Sequence, residues 1–257
     1  MANSNMRIEW VDAAKGIGIL MVMFGHNWLD WKYCYYFYSF HMPLFFILAG
    51  YTFSDRRAPF EFIKQKAKAL LIPYVLFVFC NLIFYGVLSH THGGHYDIGA
   101  EALAFLMQQR HTYLWFLPVL FLSELCVYVL SRAKLTANIK LGVILLILAL
   151  IHYLTICTGC VNLIWNIDLV PMASVYIILG ILYKRVSVKW TFENNKWIAG
   201  LLFCFSLLVS TINFVVWDRV DILGNSYGCL PLFYLGAISA TYATVLLLKQ
   251  ISIPRML

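Results

Sequence analysis

Eight stretches of the chain are so apolar that water is a poor solvent for them: roughly 10–29, 35–53, 69–88, 114–131, 139–157, 168–183, 197–216 and 228–248. A helix needs about 20 mostly apolar residues to cross the hydrocarbon of a bilayer. Backbone groups in hydrocarbon must be paired within the protein, which leaves only helices and closed barrels. Barrel strands alternate polar and apolar residues, and these runs do not. The expectation is therefore an all-α, polytopic transmembrane helix bundle of about eight spans. Composition agrees: 62% of the 257 residues are hydrophobic and 12% charged, against about 45–50% and about 25% for a soluble domain.

The first run is read as a permanent span. It follows only nine residues, contains Asp12 and Lys15, and has no small-residue cleavage site. The sequence has no repeat of fixed period, no low-complexity segment and no linker to a second domain, so 1–257 reads as one membrane-embedded domain.

The basic residues set the orientation. With the N-terminus inside and eight crossings, 15 of the 19 Lys and Arg residues fall on the inner side. Lys32, Arg110 and Arg219 fall outside, and Lys15 lies in the first span. This positive-inside bias puts both ends in the cytoplasm of a cell membrane. It also accounts for the net charge of +7 without any nucleic-acid partner.

Cysteine and histidine give weak signals. The seven cysteines are scattered, and the C-T-G-C of Cys157 and Cys160 reads as idle thiols before it reads as a redox or metal pair. The segment 89–113 carries His90, His92 and His95 and then the helix-like "IGAEALAFLMQQR". No Cys or second His cluster completes a zinc- or nickel-like set, so no metal is expected.

The opening span, "DAAKGIGILMVMFGHNW", keeps three ionisable groups. A helix turns about 100° and rises about 1.5 Å per residue. Lys15 and His26 are eleven residues apart, which is three turns and about 20°, with a rise of about 16 Å. Asp12 lies on the same side. Such groups are costly in a membrane and face a bundle interior or a wet cavity. A self-neutralising Asp12–Lys15 pair would not explain His26 on the same stripe. Gly16, Gly18 and Gly25 leave room beside the backbone for a neighbour or ligand. The second span adds "FHMPLFFILAGY", with His41 one turn in and Pro43 loosening that turn.

These segments together resemble acyltransferase family 3, the integral-membrane O-acyltransferases, and within it the fucose 4-O-acetylase-like branch. "DAAKGIGILMVMFGH" has the family's Lys or Arg, ten residues, then His. The resemblance continues through "FIKQKAKALLIPY", "LWFLPVLF" and "WNIDLVPMASVYIILGILYKR" and covers most of the chain. Members usually have about ten spans, so with eight marked this chain is expected to lack the family's last two.

The resemblance implies an acyl-CoA donor, usually acetyl-CoA, taken from the cytoplasm. The acceptor is a hydroxyl on the sugar of an envelope glycan or its lipid-linked precursor. Lys15 would meet the CoA phosphates, and His26, about 16 Å along the helix, would be the general base at the thioester. Asp12 would pair with Lys15 or orient a neighbour. His41 would hold the acceptor or stabilise the oxyanion.

Lys64, Lys66 and Lys68 divide between membrane anchoring and CoA-phosphate binding. Asn166 and Asp168 divide between a helix cap and acceptor binding. Trp115 divides between an interface belt and a sugar platform. Two other readings stand beside the enzyme: a multi-span transporter, and a substrate-binding or translocating membrane module without acyl transfer.

Overall fold

The computed structural model describes residues 8–26, 31–92, 97–108, 114–133, 138–187 and 195–251. Its architecture is all-α. The helices are α1 (Glu9–His26), α2 (Trp31–Tyr51), α3 (Pro59–Lys66), α4 (Ile72–His92), α5 (Ile98–Met107), α6 (Phe116–Arg132), α7 (Asn138–Cys157), α8 (Val170–Ser187), α9 (Lys196–Trp217) and α10 (Leu230–Gln250). Among the described residues, each of the eight expected spans holds a helix. Among the described residues, five helical segments are long and apolar enough to cross a membrane: Pro59–Thr91, Lys140–Cys157, Ile164–Ser187, Lys196–Trp217 and Leu230–Gln250. The other three expected spans are less apolar or shorter. α1 carries Glu9, Asp12 and Lys15, α2 is rich in tyrosine, and α6 has 17 residues. The chain is a multi-pass membrane protein.

The chain divides into two compact units, Met1–Phe53 with Leu179–Leu257, and Ser54–Ile178. In the first unit, α10 packs on α9, α2 and α1. Its buried side is built largely from small residues, Gly236, Ala237, Ser239, Ala240, Thr241 and Ala243. Small residues let backbones approach where lipid offers no hydrophobic drive between helices. Val11, Ala14, Leu44, Leu48, Val245 and Leu248 form a core cluster. Between α2 and α9 runs a ladder of hydroxyls: Tyr35 Oη to Thr211 Oγ1 at 2.9 Å, Tyr36 Oη to Ser206 Oγ at 2.6 Å, and Ser210 Oγ donating to Ser39 Oγ at 3.1 Å. Each pair satisfies two polar groups that lipid cannot.

The opposite end of this unit is closed by a cation. Lys249 Nζ lies 5.0 Å from the Trp10 ring centroid, 4.8 Å from Tyr183 and 5.9 Å from Tyr51. The aromatic faces hold the ammonium electrostatically and tie α1, α2, α8 and α10 together.

In the second unit, Pro59 starts α3 at a position where a missing N–H costs nothing. Ala67–Leu71 is a π-helical turn between α3 and α4, where Ile72 N bonds back to Ala67 O. Pro73, just beyond it, has no N–H to close the next α-type bond, so the widened turn sits beside the residue that demands it. The segment expected to be helix-like after His95 is α5. Asp97 Oδ1 caps it by accepting from Gly99 N at 2.9 Å and Ala100 N at 3.0 Å.

Candidate functional site

In the first unit, Asp12, Lys15 and His26 lie on one uninterrupted helix, as the spacing required. The buried seam of α1 is Val11, Ala14 and Gly18. At 100° per residue, Lys15 and His26 stand roughly 80° round from that seam. Both are exposed, and Asp12 is half-buried. The stripe thus flanks the α1–α2 contact and is not covered by it.

The glycines have specific neighbours. A Cβ on Gly18 would lie 2.7 Å from Phe45 Cζ, and one on Gly25 would lie 2.8 Å from Tyr38 Cε2. Two of the three glycines therefore make room for aromatic rings of α2. Gly16 has nothing within 4 Å of its Cβ position, so only there does the expected free space beside the backbone remain.

Tyr38 is the centre of the histidine end. Its hydroxyl donates to Gly25 O at 3.1 Å, one residue before His26. Its ring centroid is 6.3 Å from that of His26 and 5.2 Å from that of His41, edge-on to both. The Arg219 guanidinium carbon stands 4.1 Å from the same ring. His26, Tyr38, His41 and Arg219 therefore form one cluster on three elements.

His41 is buried, 5% exposed, and its Nδ1 lies 2.6 Å from Phe37 O. A carbonyl oxygen only accepts, so Nδ1 carries the proton. The neutral ring then offers Nε2 as a lone pair. That arrangement accepts a hydrogen bond from a hydroxyl.

Arg219 reaches the cluster from the 218–229 hairpin between α9 and α10. Asp221 and Ser226 pair there as an antiparallel bridge. Asn213 of α9 holds the hairpin from below: Nδ2 donates to Tyr227 O at 2.9 Å, and Oδ1 accepts from Cys229 N at 2.8 Å. A side chain on Gly228, at φ +63°, would meet Asn213 Oδ1 at 2.5 Å. Val220, Ile222 and Tyr227 are buried, which fixes the turn.

In the second unit the three basic candidates separate. Lys66 Nζ pairs with Glu124 Oε1 at 2.5 Å, with the two side chains 22% and 4% exposed. Its charge is turned inward and neutralised there. Lys64 of α3 and Lys68 of the π turn stand at the head of an apolar groove lined by Leu71, Ile72, Val75 and Phe79. Phe62 stacks on Tyr128 at 4.2 Å and brackets the ion pair.

Asn166 and Asp168 lie in a 3-10 turn, Ile164–Leu169, in which Trp165 and Asn166 have φ of 57° and 51°. Left-handed backbone at two successive non-glycine residues is costly and persists only when surroundings fix it. Here Asp168 Oδ1 accepts from Leu163 N at 3.2 Å, Asn166 Nδ2 donates to Gln108 O at 3.2 Å, and Trp165 Nε1 donates to Leu106 O at 3.0 Å. Asn166 and Asp168 are buried. Among the described residues, Asn166 Oδ1 and Gln108 Oε1 meet no donor. Trp115 is buried too, 7% exposed, just before α6.

Two remaining sequence signals are placed only in part. Cys157 and Cys160 are free and exposed. His90 is on α4 and the backbone of His92 ends it, whereas His95 and Arg110 lie outside the described residues. Among the described residues, no group of three His, Cys, Asp or Glu is arranged to hold a metal ion.

Sequence reasoning missed Tyr38 and Arg219. Arg219 did carry a signal, being one of three cations counted on the outer side against the positive-inside trend. Tyr38 carried none among the 16 tyrosines.

A family model described as an acyltransferase domain matches residues 8–256. The chain belongs to acyltransferase family 3. No curated protein and no solved structure matches it. As a member of acyltransferase family 3 it is a membrane acyltransferase, which moves an acyl group from a donor to an acceptor at a lipid bilayer.

Proposed function

We propose that the protein transfers an acetyl group from cytoplasmic acetyl-CoA to a hydroxyl of an envelope glycan or its lipid-linked precursor. It would do so as one membrane-embedded domain of the fucose 4-O-acetylase-like branch. It would lie in the cell membrane with its N-terminus in the cytoplasm. No metal enters the proposed reaction. The observation that carries the reading is the continuous α1, with Lys15 near one end and His26 at the other, where His26 and His41 flank Tyr38.

The rise from Lys15 to His26, about 16 Å, suits a long thin pantetheine arm with phosphates at one end and a thioester at the other. Lys15 supplies a point charge for the phosphates, and Asp12 keeps it oriented. Lys64 and Lys68 in the second unit are further candidates for phosphate contact. Lys66 drops to a supporting role because Glu124 holds it. Asn166, Asp168 and Trp115 are proposed to shape the acceptor end of the second unit, where Asn166 Oδ1 retains a free accepting site.

In the reaction, the acceptor oxygen attacks the thioester carbonyl carbon while neutral His26 takes its proton. The carbonyl pair moves onto oxygen. The tetrahedral intermediate collapses, the C–S bond breaks, and the CoA thiolate recovers the proton from His26. General-base assistance of this kind contributes about 10²–10⁴-fold. His41, whose Nδ1 proton is committed to Phe37 O, accepts through Nε2 from a neighbouring hydroxyl of the acceptor sugar, and the reacting hydroxyl gives its own proton to His26.

The test is transfer in isolated membranes supplied with acetyl-labelled acetyl-CoA. The expected result is base-labile label in a glycan or glycolipid fraction, dependent on expression of this protein. Label that stays wholly in acetyl-CoA would refute the reading.

A further inference from the structure

The proposed transfer leaves one charge unattended: the oxyanion formed when the hydroxyl adds to the thioester. The described cluster offers few donors for it. His41 spends its Nδ1 proton on Phe37 O at 2.6 Å. Tyr38 spends its hydroxyl proton on Gly25 O at 3.1 Å. His26 is assigned the incoming proton. The guanidinium 4.1 Å from the Tyr38 ring has five N–H donors and no accepting face.

We propose that Arg219 is a further catalytic residue of this site, and that its guanidinium receives the oxyanion of the tetrahedral intermediate beside His26 and His41. The proposal rests on the acetyl-transfer reading above. It concerns a residue outside both helices that carry the histidines, on the 218–229 hairpin.

Three features support it. First, the hairpin is built to hold a side chain still. Asn213 grips Tyr227 O and Cys229 N, Gly228 fits against Asn213 with no space for a Cβ, and Val220, beside Arg219, is 4% exposed. A donor fixed in advance stabilises developing charge without reorganisation.

Second, the hairpin's own carboxylates are turned to its backbone. Asp218 Oδ1 accepts from Arg219 N at 2.6 Å, and Asp221 Oδ1 accepts from Gly224 N at 3.2 Å. The Arg219 guanidinium instead lies 4.1 Å over the Tyr38 ring, where attraction between the cation and the aromatic face holds it.

Third, Arg219 is one of the few cations on that side of the membrane by the charge count, where topology alone supplies no reason for one.

The step balances as an ordinary acyl transfer. As the C–O bond forms, the carbonyl π pair becomes the oxyanion lone pair, paired with Arg219. As the C–S bond breaks, that pair returns to the carbonyl, and Arg219 is unchanged.

The experiment compares wild type, R219Q and R219K as purified, monodisperse protein with acetyl-CoA and the glycolipid fraction as acceptor. Transfer per folded molecule and acetyl-CoA binding are both read. R219Q is expected to lower kcat about 10²–10³-fold, the usual effect of losing one oxyanion donor, with acetyl-CoA affinity unchanged. R219K keeps the charge without the planar fork, and is expected to lie between the two.

A structural role would instead lower the yield of folded protein and leave kcat per molecule near wild type. That outcome overturns the proposal. If R219Q gives no folded protein, R219K decides: wild-type kcat overturns the proposal, and a loss of tenfold or more at unchanged donor affinity supports it. Absence of transfer by wild type would overturn the acetyl-transfer reading and this proposal with it, whereas active wild type with an equally active R219Q overturns this proposal alone.

Discussion

At the scale of single residues, the histidine end depends on what is missing from Gly25. Its lack of a side chain lets Tyr38 lie against α1 and bond Gly25 O. A methyl there would lie 2.8 Å from Tyr38 Cε2, too close for the ring to stay where it is. Overpacking of this kind costs about 1–3 kcal/mol. Gly25→Ala is therefore expected to displace the Tyr38 ring, lower the melting temperature by a few degrees, and cut transfer at least tenfold with donor binding retained. Kinetics per folded molecule, beside a thermal melt in detergent, check this. Unchanged kcat would mean that the Tyr38 contact does not set the His26 geometry. Gly16, with nothing within 4 Å, is the contrasting control, and Gly16→Ala should leave packing intact.

At the scale of elements, the π turn between α3 and α4 is where sequence reasoning and structure differ most. Three lysines in "KQKAK" read as one basic patch. Lys64 and Lys66 both lie on α3, where two residues turn side chains about 200° apart, so Lys66 is turned to Glu124 of α6, and Lys64, with Lys68 of the π turn, lies on the other face. Breaking a buried ion pair by removing one partner leaves the other charge stranded, at a cost of about 3–5 kcal/mol. Glu124→Ala should accordingly destabilise the second unit by an amount toward the low end of that range, since Lys66 keeps some exposure. The double variant K66M/E124L should recover much of the loss, because an apolar pair of similar volume needs no charge partner. Chemical denaturation in mixed micelles measures both. If E124A were as stable as wild type, the pair would be incidental, and Lys66 would return to the phosphate candidates.

Much of the element order was legible because a 20-residue apolar run has few alternatives in a bilayer. The run at 228–248 became Leu230–Gln250, and the run at 197–216 became Lys196–Trp217. Partnerships across the chain were not legible. Lys66 and Glu124 are 58 residues apart, and no local pattern announces that they meet. The same holds for Tyr35 and Thr211, 176 apart. Within the candidate site, the Lys15–His26 spacing was readable from helical periodicity alone. The His41 tautomer was not, because it depends on a carbonyl orientation that only coordinates give.

At the scale of the whole molecule, the proposed orientation is open to a direct test. The fifteen-to-three distribution of Lys and Arg predicts that 54–68 and 184–196 are cytoplasmic and 89–113 external. In a cysteine-free background, a cysteine at position 60 should resist an impermeant thiol reagent applied from outside, and one at position 98 should react. Both positions are exposed on the protein, and labelling of the same cysteines after permeabilisation separates the membrane side from burial in lipid. The reverse pattern would invert the protein and take His26 and Arg219 to the cytoplasmic face.

The most direct test of acetyl transfer by a histidine on α1 is the His26→Ala variant. Transfer per folded molecule and acetyl-CoA binding are measured on the same preparation, with wild type and His41→Ala beside it. The account predicts that His26→Ala loses transfer by about 10²–10⁴-fold, the worth of a general base, while donor affinity stays within a factor of about three, because Lys15 and not His26 meets the phosphates. A well-folded His26→Ala protein that transfers acetyl groups at a near-normal rate would contradict it.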